Sequence, residues 1–118
     1  MRRVVITGMG IVSSIGANVD EVKASLFEGK SGITRDESFA EHGFKCQVSA
    51  RPSINYEEIL DRRTRRFMGE GAAWNYIAMQ EAIGQSGLVE DEISHPMTGI
   101  IMGSGGPSTK AIVGAADV

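Results

Sequence analysis

The sequence predicts a fold of the α/β class, and three features carry that prediction. Two short apolar runs, at residues 4–7 and 99–102, are flanked by glycine and are typical of strands buried on both faces of a sheet. Between them, residues 67–86 place apolar side chains three or four positions apart, which predicts a helix. We therefore expect two buried strands and one buried helix.

The first apolar run is interrupted by Gly8 and Gly10, which could either cradle a phosphate or allow close packing. The spacing favours close packing. The third glycine of a dinucleotide-binding G-x-G-x-x-G motif would stand at position 13, which is Ser13. The acidic residue that such a site needs about 20 residues further on is also missing, because Asp36 is more distant and follows a turn.

A helix is predicted directly after this segment. Asn18 can cap it, and Glu21 three residues later would complete a capping box. Gly29 is placed to end the helix. Three side chains at helical spacing form its apolar face: Val19, Val22 and Leu26, which Phe27 widens.

The middle of the chain is polar and predicts short elements. A turn at residues 31–34 leads into a short extended piece, and residues 36–43 predict a surface loop or a short helix. Residues 45–49 alternate as in an edge strand, which Pro52 ends. Residues 55–61 predict a short helical turn.

The second half begins with the long helix, which is apolar nearly all round and is therefore expected to be buried on several sides or against a partner. Gly87 would end it, and residues 88–95 form an acidic connector. The turn at residues 103–107 is rich in glycine but lacks the Gly-Lys-Ser/Thr of a nucleotide-binding P-loop. Residues 109–118 show no clear period.

A sheet with so few strands could not cover itself, and the sequence has neither an internal repeat nor a linker. We therefore expect the chain to be an incomplete part of a larger α/β fold.

Its 118 residues suit one domain, and a net charge of -3 argues against a nucleic-acid-binding protein. No apolar run approaches the ~20 residues of a membrane helix, and we recognise no signal peptide. A single cysteine excludes an intrachain disulfide and favours the cytoplasm.

Few side chains suggest metal or nucleophilic chemistry. Cys46 is the single thiol, and the neighbouring Lys45 would point to the opposite face of a strand, so we expect Cys46 to be inert. His42 and His95 lie in polar segments without an Asp or Cys at ligand spacing, so a zinc site is not expected.

The arginine cluster at residues 62–66 is the most suggestive feature. It holds four of the 12 Lys and Arg residues, at a helix start where cations oppose the helix dipole. Arg62 and Arg66 are spaced i,i+4, and Arg63 and Arg66 i,i+3, so either pair can present two guanidinium groups to one acidic partner. That partner could be a phosphate or an acidic protein, and the alternative is a merely solvated helix start.

Four stretches in series resemble the β-ketoacyl-acyl carrier protein synthases, the elongating condensing enzymes of bacterial fatty-acid synthesis. They are VVITGMGIVSSIG, EVKASLFEGKSGI, DRRTRRFM and GIIMGSGG, in this order. The residues Ser13-Ser14-Ile15-Gly16 and Arg66-Phe67-Met68 are more similar to the type I synthases than to type II. The resemblance covers essentially the whole chain, which is thus identified as the N-terminal part of such an enzyme, residues 1–118, without separate domains.

The resemblance implies a thiolase-like fold with α/β/α/β/α layers, in a homodimer. It implies acyl transfer from acyl carrier protein to a cysteine, decarboxylation of malonyl-acyl carrier protein and condensation, with two histidines stabilising the negative charge and no metal or nicotinamide cofactor. The family's cysteine and histidines are expected after Val118. Cys46, His42 and His95 do not stand in the family's motifs, so no catalytic residue is assigned in this chain.

The resemblance also implies two binding roles. Basic residues at the positions of Arg63 and Arg66, with Arg62 nearby, help to dock the acidic carrier protein in the family. The turn at Gly105-Gly106 matches a loop near the subunit interface and the acyl pocket, which makes Gly106 a candidate pocket residue. Two other functions stay open: a non-catalytic partner of the chain-length-factor kind, which would lack the nucleophilic cysteine, and a nicotinamide-dependent oxidoreductase with a Rossmann fold.

Overall fold

The structure is a computed structural model that describes residues 2–116. Within this range it contains seven helices and one two-stranded sheet. In chain order the elements are α1 (Val19–Glu28), β1 (Thr34–Arg35), α2 (Glu37–Glu41), β2 (Val48–Ser49), α3 (Tyr56–Ile59), α4 (Arg62–Arg65), α5 (Glu70–Ser86), α6 (Glu90–Ile93) and α7 (Thr109–Ala116).

Helix α1 begins and ends where the sequence predicts. Asn18 Oδ1 accepts a hydrogen bond from the backbone N–H of Glu21 at 2.9 Å. The Glu21 carboxylate accepts from the N–H of Ala17 at 2.8 Å, one residue before the position a capping box would use. Gly29 has φ 65°, a left-handed conformation that ends the helix. Of the predicted apolar face, Val22 is buried but Leu26 is 68% exposed.

The edge strand predicted at residues 45–49 is confirmed in its last two residues. β2 pairs antiparallel with β1, with Thr34 opposite Ser49 and Arg35 opposite Val48. Asp36 follows β1 and joins this hairpin to α2, because its carboxylate accepts from the hydroxyls of Ser38 at 2.6 Å and Ser49 at 2.9 Å. These hydrogen bonds, that of Ser38 foremost, lower the pKa of Asp36.

The prediction of two buried strands at residues 4–7 and 99–102 is wrong for this structure. Neither run forms a strand; Val4 is 92% exposed and Ile101 is 100% exposed. A strand must exchange backbone hydrogen bonds with a neighbour, and the sheet in residues 2–116 consists of β1 and β2 alone. These apolar runs therefore have the composition of strands but no pairing partner within residues 2–116.

The prediction of close packing at Gly8 and Gly10 is confirmed. Their segment lies against α5, where a Cβ atom on Gly8 would collide with the carbonyl oxygen of Ala82. A Cβ atom on Gly10 would collide with the carbonyl oxygen of Ala78 in the same way. The two glycines let one backbone approach another more closely than any side chain would allow.

The long predicted helix is confirmed as α5, although it begins at Glu70 and not at Phe67. Gly87, with φ 73°, ends it. Of the two alternatives expected for this helix, burial on several sides within residues 2–116 is wrong, because Ala73 is the one residue of α5 that is fully buried; burial against a partner stays a prediction. α3 packs against α5, and the small core consists of Val22, Leu60 and Ala73 with the polar Ser25.

Three further helices fall where the sequence is less clear. The helical turn predicted at residues 55–61 is confirmed as α3. α6 lies within the acidic connector, and α7 occupies residues for which no period is visible. The local signal for α7 is Ser108, whose side chain accepts from the N–H of Ala111 at 3.3 Å. Residues 117 and 118 of that stretch lie outside the described residues.

Candidate functional site

The arginine cluster is carried by α4, whose start is fixed by Asp61. Asp61 Oδ1 accepts from the backbone N–H groups of Arg63 at 2.8 Å and Thr64 at 3.0 Å. Its Oδ2 accepts from the Thr64 hydroxyl at 2.5 Å. These bonds, first that of the Thr64 side chain, lower the pKa of Asp61. The ionised carboxylate offsets the positive end of a helix that carries several cations.

Three arginines of the cluster share one surface. Arg62, Arg63 and Arg66 are exposed and line a shallow groove of about 530 Å³. Among residues 2–116, no carboxylate lies within 4.0 Å of their guanidinium groups. Their charges are therefore available to a partner. We call these three residues the docking arginines, after the role that the resemblance implies for their positions.

Arg65 differs from its neighbours. Its Nη1 lies 3.4 Å from Glu57 Oε2 of α3, and its side chain is only 30% exposed. Its Nε is buried and has no hydrogen-bond partner among the described residues. Successive helical residues are rotated by about 100°, so Arg65 lies about 160° around the helix from Arg63 but only about 60° from Arg62. The ion pair and the low exposure show that Arg65 holds α4 against α3 and does not belong to the exposed surface, a distinction that helical spacing alone does not give.

Phe67 is a surface residue, although the apolar pattern of the sequence predicts it inside the long helix. It precedes α5 and is 89% exposed. The guanidinium of Arg66 lies over its ring, 5.1 Å from the centroid. A cation above an aromatic face is attracted by the ring quadrupole, which limits the orientations that the arginine takes. The docking arginines thus border an exposed aromatic side chain.

Gly106 lies in a second, open cleft of about 570 Å³. The cleft separates the residues around Gly106 from the first turns of α5, with Trp74 on one side and Met102 on the other. A Cβ atom on Gly106 would meet no atom within 4 Å, so the space beside it is free. Lys110 Nζ binds Glu70 Oε1 at 3.0 Å, and this hydrogen bond raises the pKa of Lys110.

Cys46 and the two histidines lie apart from the groove of the docking arginines and from the cleft at Gly106. Cys46 is exposed, and its Sγ lies 3.9 Å from the carbonyl oxygen of Val48. His42 Nδ1 lies 2.7 Å from the carbonyl oxygen of Ser38, and His95 Nδ1 accepts from the N–H of Met97 at 3.1 Å. Residues 2–116 contain no group of three His, Cys, Asp or Glu side chains able to hold a metal ion.

The structure also weighs against a dinucleotide site at the first glycines. The carbonyl oxygens of Ala78 and Ala82 lie where a Cβ atom of Gly10 or Gly8 would stand, and such oxygens repel a phosphate. The carboxylate of Asp36 is already engaged by serine hydroxyls and is not free for a ribose.

In the part of the chain that the structure describes, no helix has both the length and the apolar character to cross a membrane.

Comparison with known proteins finds the same family that the four sequence stretches resemble. The family model of the β-ketoacyl synthase N-terminal domain matches residues 1–117. The 3-oxoacyl-[acyl-carrier-protein] synthase 1 of Haemophilus influenzae is 49% identical over 105 residues, which cover 89% of this chain and 26% of that protein. The synthase 1 of Escherichia coli K12 is 41% identical over 118 residues, covering 99% and 29%.

A synthase 2 is less similar. That of Coxiella burnetii is 32% identical over 105 residues, which cover 88% of this chain and 25% of that protein. The chain thus spans between 25% and 29% of the length of these relatives. Because this family model matches nearly every residue of the chain, the chain belongs to the β-ketoacyl synthase family.

Proposed function

We propose that this chain is part of a β-ketoacyl-acyl carrier protein synthase that elongates fatty acids. The family match and the names of its relatives, which are 3-oxoacyl-[acyl-carrier-protein] synthases, support the proposal. In this reaction a cysteine thiolate attacks the thioester of acyl-acyl carrier protein, takes the acyl group as a new thioester and releases the thiol of the carrier protein. Malonyl-acyl carrier protein then loses CO₂, and its carbanion attacks the thioester carbonyl and expels the thiolate. None of the residues of this chain is assigned as that cysteine or as one of the two histidines.

In this proposal, the described chain contributes the docking surface for the acyl carrier protein. The observation that carries it is the arrangement of the docking arginines, Arg62, Arg63 and Arg66, which line one groove without carboxylate partners in residues 2–116. Guanidinium groups bind carboxylates and phosphates in a planar, two-pronged geometry. An acidic protein with clustered carboxylates is therefore the partner that this surface fits.

The docking role is tested by measuring carrier-protein affinity of the full-length enzyme with Arg63→Ala and Arg66→Ala combined. A matched control combines Lys30→Ala and Lys45→Ala, which removes the same charge from exposed positions in other segments. We expect the arginine variant to bind on the order of tenfold more weakly at low salt, and the control to bind nearly normally. Equal affinity of the two variants would contradict the docking role.

Gly106 is proposed to leave room for the acyl chain. Supporting this role, Gly106 opens onto the cleft beside Trp74 and Met102, and nothing fills the space where its side chain would be. Gly106→Leu in the full-length enzyme should shift the preference toward shorter acyl chains by occupying this space. Gly105→Leu is the control, since Gly105 does not line the cleft. An unchanged chain-length profile in Gly106→Leu would argue against the pocket.

The proposal includes the thiolase-like layered fold, a homodimer and a cytoplasmic location for the full-length enzyme, with residues 1–118 as the N-terminal part of its condensing domain. The exposed apolar runs at residues 4–6 and 100–101 support the fold, because they have strand-like composition and need covering neighbours. Light scattering of the purified full-length enzyme tests the assembly. A monomer at micromolar concentration would contradict the dimer.

A further inference from the structure

Glu81 of α5 binds two backbone N–H groups of the N-terminal part of the chain. Its Oε2 accepts from the N–H of Ile11 at 3.0 Å, and its Oε1 accepts from the N–H of Val19 at 2.9 Å. Four residues further along α5, Gln85 Oε1 accepts from the N–H of Met9 at 3.1 Å. Three elements therefore meet at one row of α5 side chains: the N-terminal segment, the start of α1 and α5 itself.

The spacing of these contacts follows from backbone geometry. Met9 and Ile11 are two residues apart, and the N–H groups of both face α5. Glu81 and Gln85 are spaced i,i+4 and so lie on the same face of α5. The side chains of Glu81 and Gln85 thus accept hydrogen bonds from backbone N–H groups that, in a sheet, would be donated to a neighbouring strand. Gly8 and Gly10 allow the close approach on which these hydrogen bonds depend.

We propose that Glu81 is a positioning residue, whose carboxylate fixes the register of the N-terminal segment and of α1 on α5. Both of its partners are donors, and a carboxylate can accept on both oxygens. Glutamine in its place would offer one oxygen and would turn an NH₂ group toward the other donor. Val19 is the first residue of α1, so its N–H has no partner inside the helix, and the negative charge of Glu81 also complements the helix dipole there.

Amide hydrogen exchange of individual residues, followed by NMR, tests this role without reference to carrier-protein binding. In Glu81→Ala, exchange at both Ile11 and Val19 should accelerate on the order of tenfold or more. In Glu81→Gln, one of these amides should keep its protection while the other loses it. Gln80→Ala is the matched control, because Gln80 is the exposed neighbour on α5 and makes no side-chain hydrogen bond among the described residues.

Unchanged protection of both amides in Glu81→Ala, or in Glu81→Gln, would overturn the proposal. If Glu81→Ala does not fold, the near-isosteric Glu81→Gln decides by the difference between its two amides. If Glu81→Gln also loses the fold while Gln80→Ala retains it, the requirement for a carboxylate at this position is supported.

Discussion

The N-terminal segment, residues 4–16, and the arginine segment, residues 56–66, reach their conformations in different ways. The arginine segment is held by neighbours in sequence, since Asp61 caps α4 and Arg65 binds Glu57. The N-terminal segment depends on α5, which lies far away in the sequence. The difference teaches that a surface built from local caps can be recognised from sequence, whereas an extended apolar segment takes its structure from whatever packs against it.

The largest effect is expected at the close approach between the N-terminal segment and α5. Gly10→Ala should destabilise the chain by about 3 kcal/mol, because the added Cβ would collide with the carbonyl of Ala78. Gly84→Ala on α5 is the control: its Cβ would meet no atom within 4 Å, and it should stabilise the helix by about 1 kcal/mol. Urea unfolding measures both, and equal stabilities would show that the segment does not lie on α5.

A smaller effect is expected at Arg65, which lies outside the docking surface. Arg65→Ala should destabilise the chain by about 0.5 kcal/mol, because the ion pair with Glu57 is partly exposed and screened by solvent. Arg63→Ala, at an exposed position without an ion pair in residues 2–116, should leave stability nearly unchanged. Thermal unfolding of the two variants compares them. A more destabilising Arg63→Ala would contradict the assignment of Arg65 as the structural arginine.

The cap of α4 predicts a pH dependence. The pKa of Asp61 is lower in the folded chain than its ordinary value, so its contribution to stability is present above that value and is lost as the pH falls through the lowered pKa. The window therefore lies below about pH 4. Asp61→Asn should lose stability less steeply than the wild type in this window. Parallel acid unfolding curves would show that the cap contributes nothing to the pH dependence.

Much of the local structure could be predicted because its signals are local. Asn18 and Gly29 mark the ends of α1, and Gly87 marks the end of α5. The two strands at residues 4–7 and 99–102 were wrongly predicted, since composition indicates what a segment can pair with but not whether a partner is present. α7 was not predicted, because Ile112, Val113 and Gly114 in its middle are residues of low helix propensity.

The candidate site divides in the same way. Helical spacing pairs Arg62 and Arg63 each with Arg66, and the docking role comes from the family resemblance. The structure places all three arginines around one groove. The exposure of Phe67 beside Arg66 could not be predicted, because the apolar pattern ran continuously into α5. The contacts of Glu81 could not be predicted from the sequence either, because its two partners are backbone N–H groups, which every residue type except proline carries.

The central claim, that the docking arginines bind an acidic carrier protein, is tested most directly by the salt dependence of that binding. Carrier-protein affinity would be titrated at several ionic strengths for the wild-type full-length enzyme and for the combined Arg63→Ala and Arg66→Ala variant. We predict a steep loss of wild-type affinity with salt, a shallower slope for the variant, and convergence of the two at about 1 M salt, where the Debye length is about 3 Å. Identical affinities and slopes at low salt would contradict the claim.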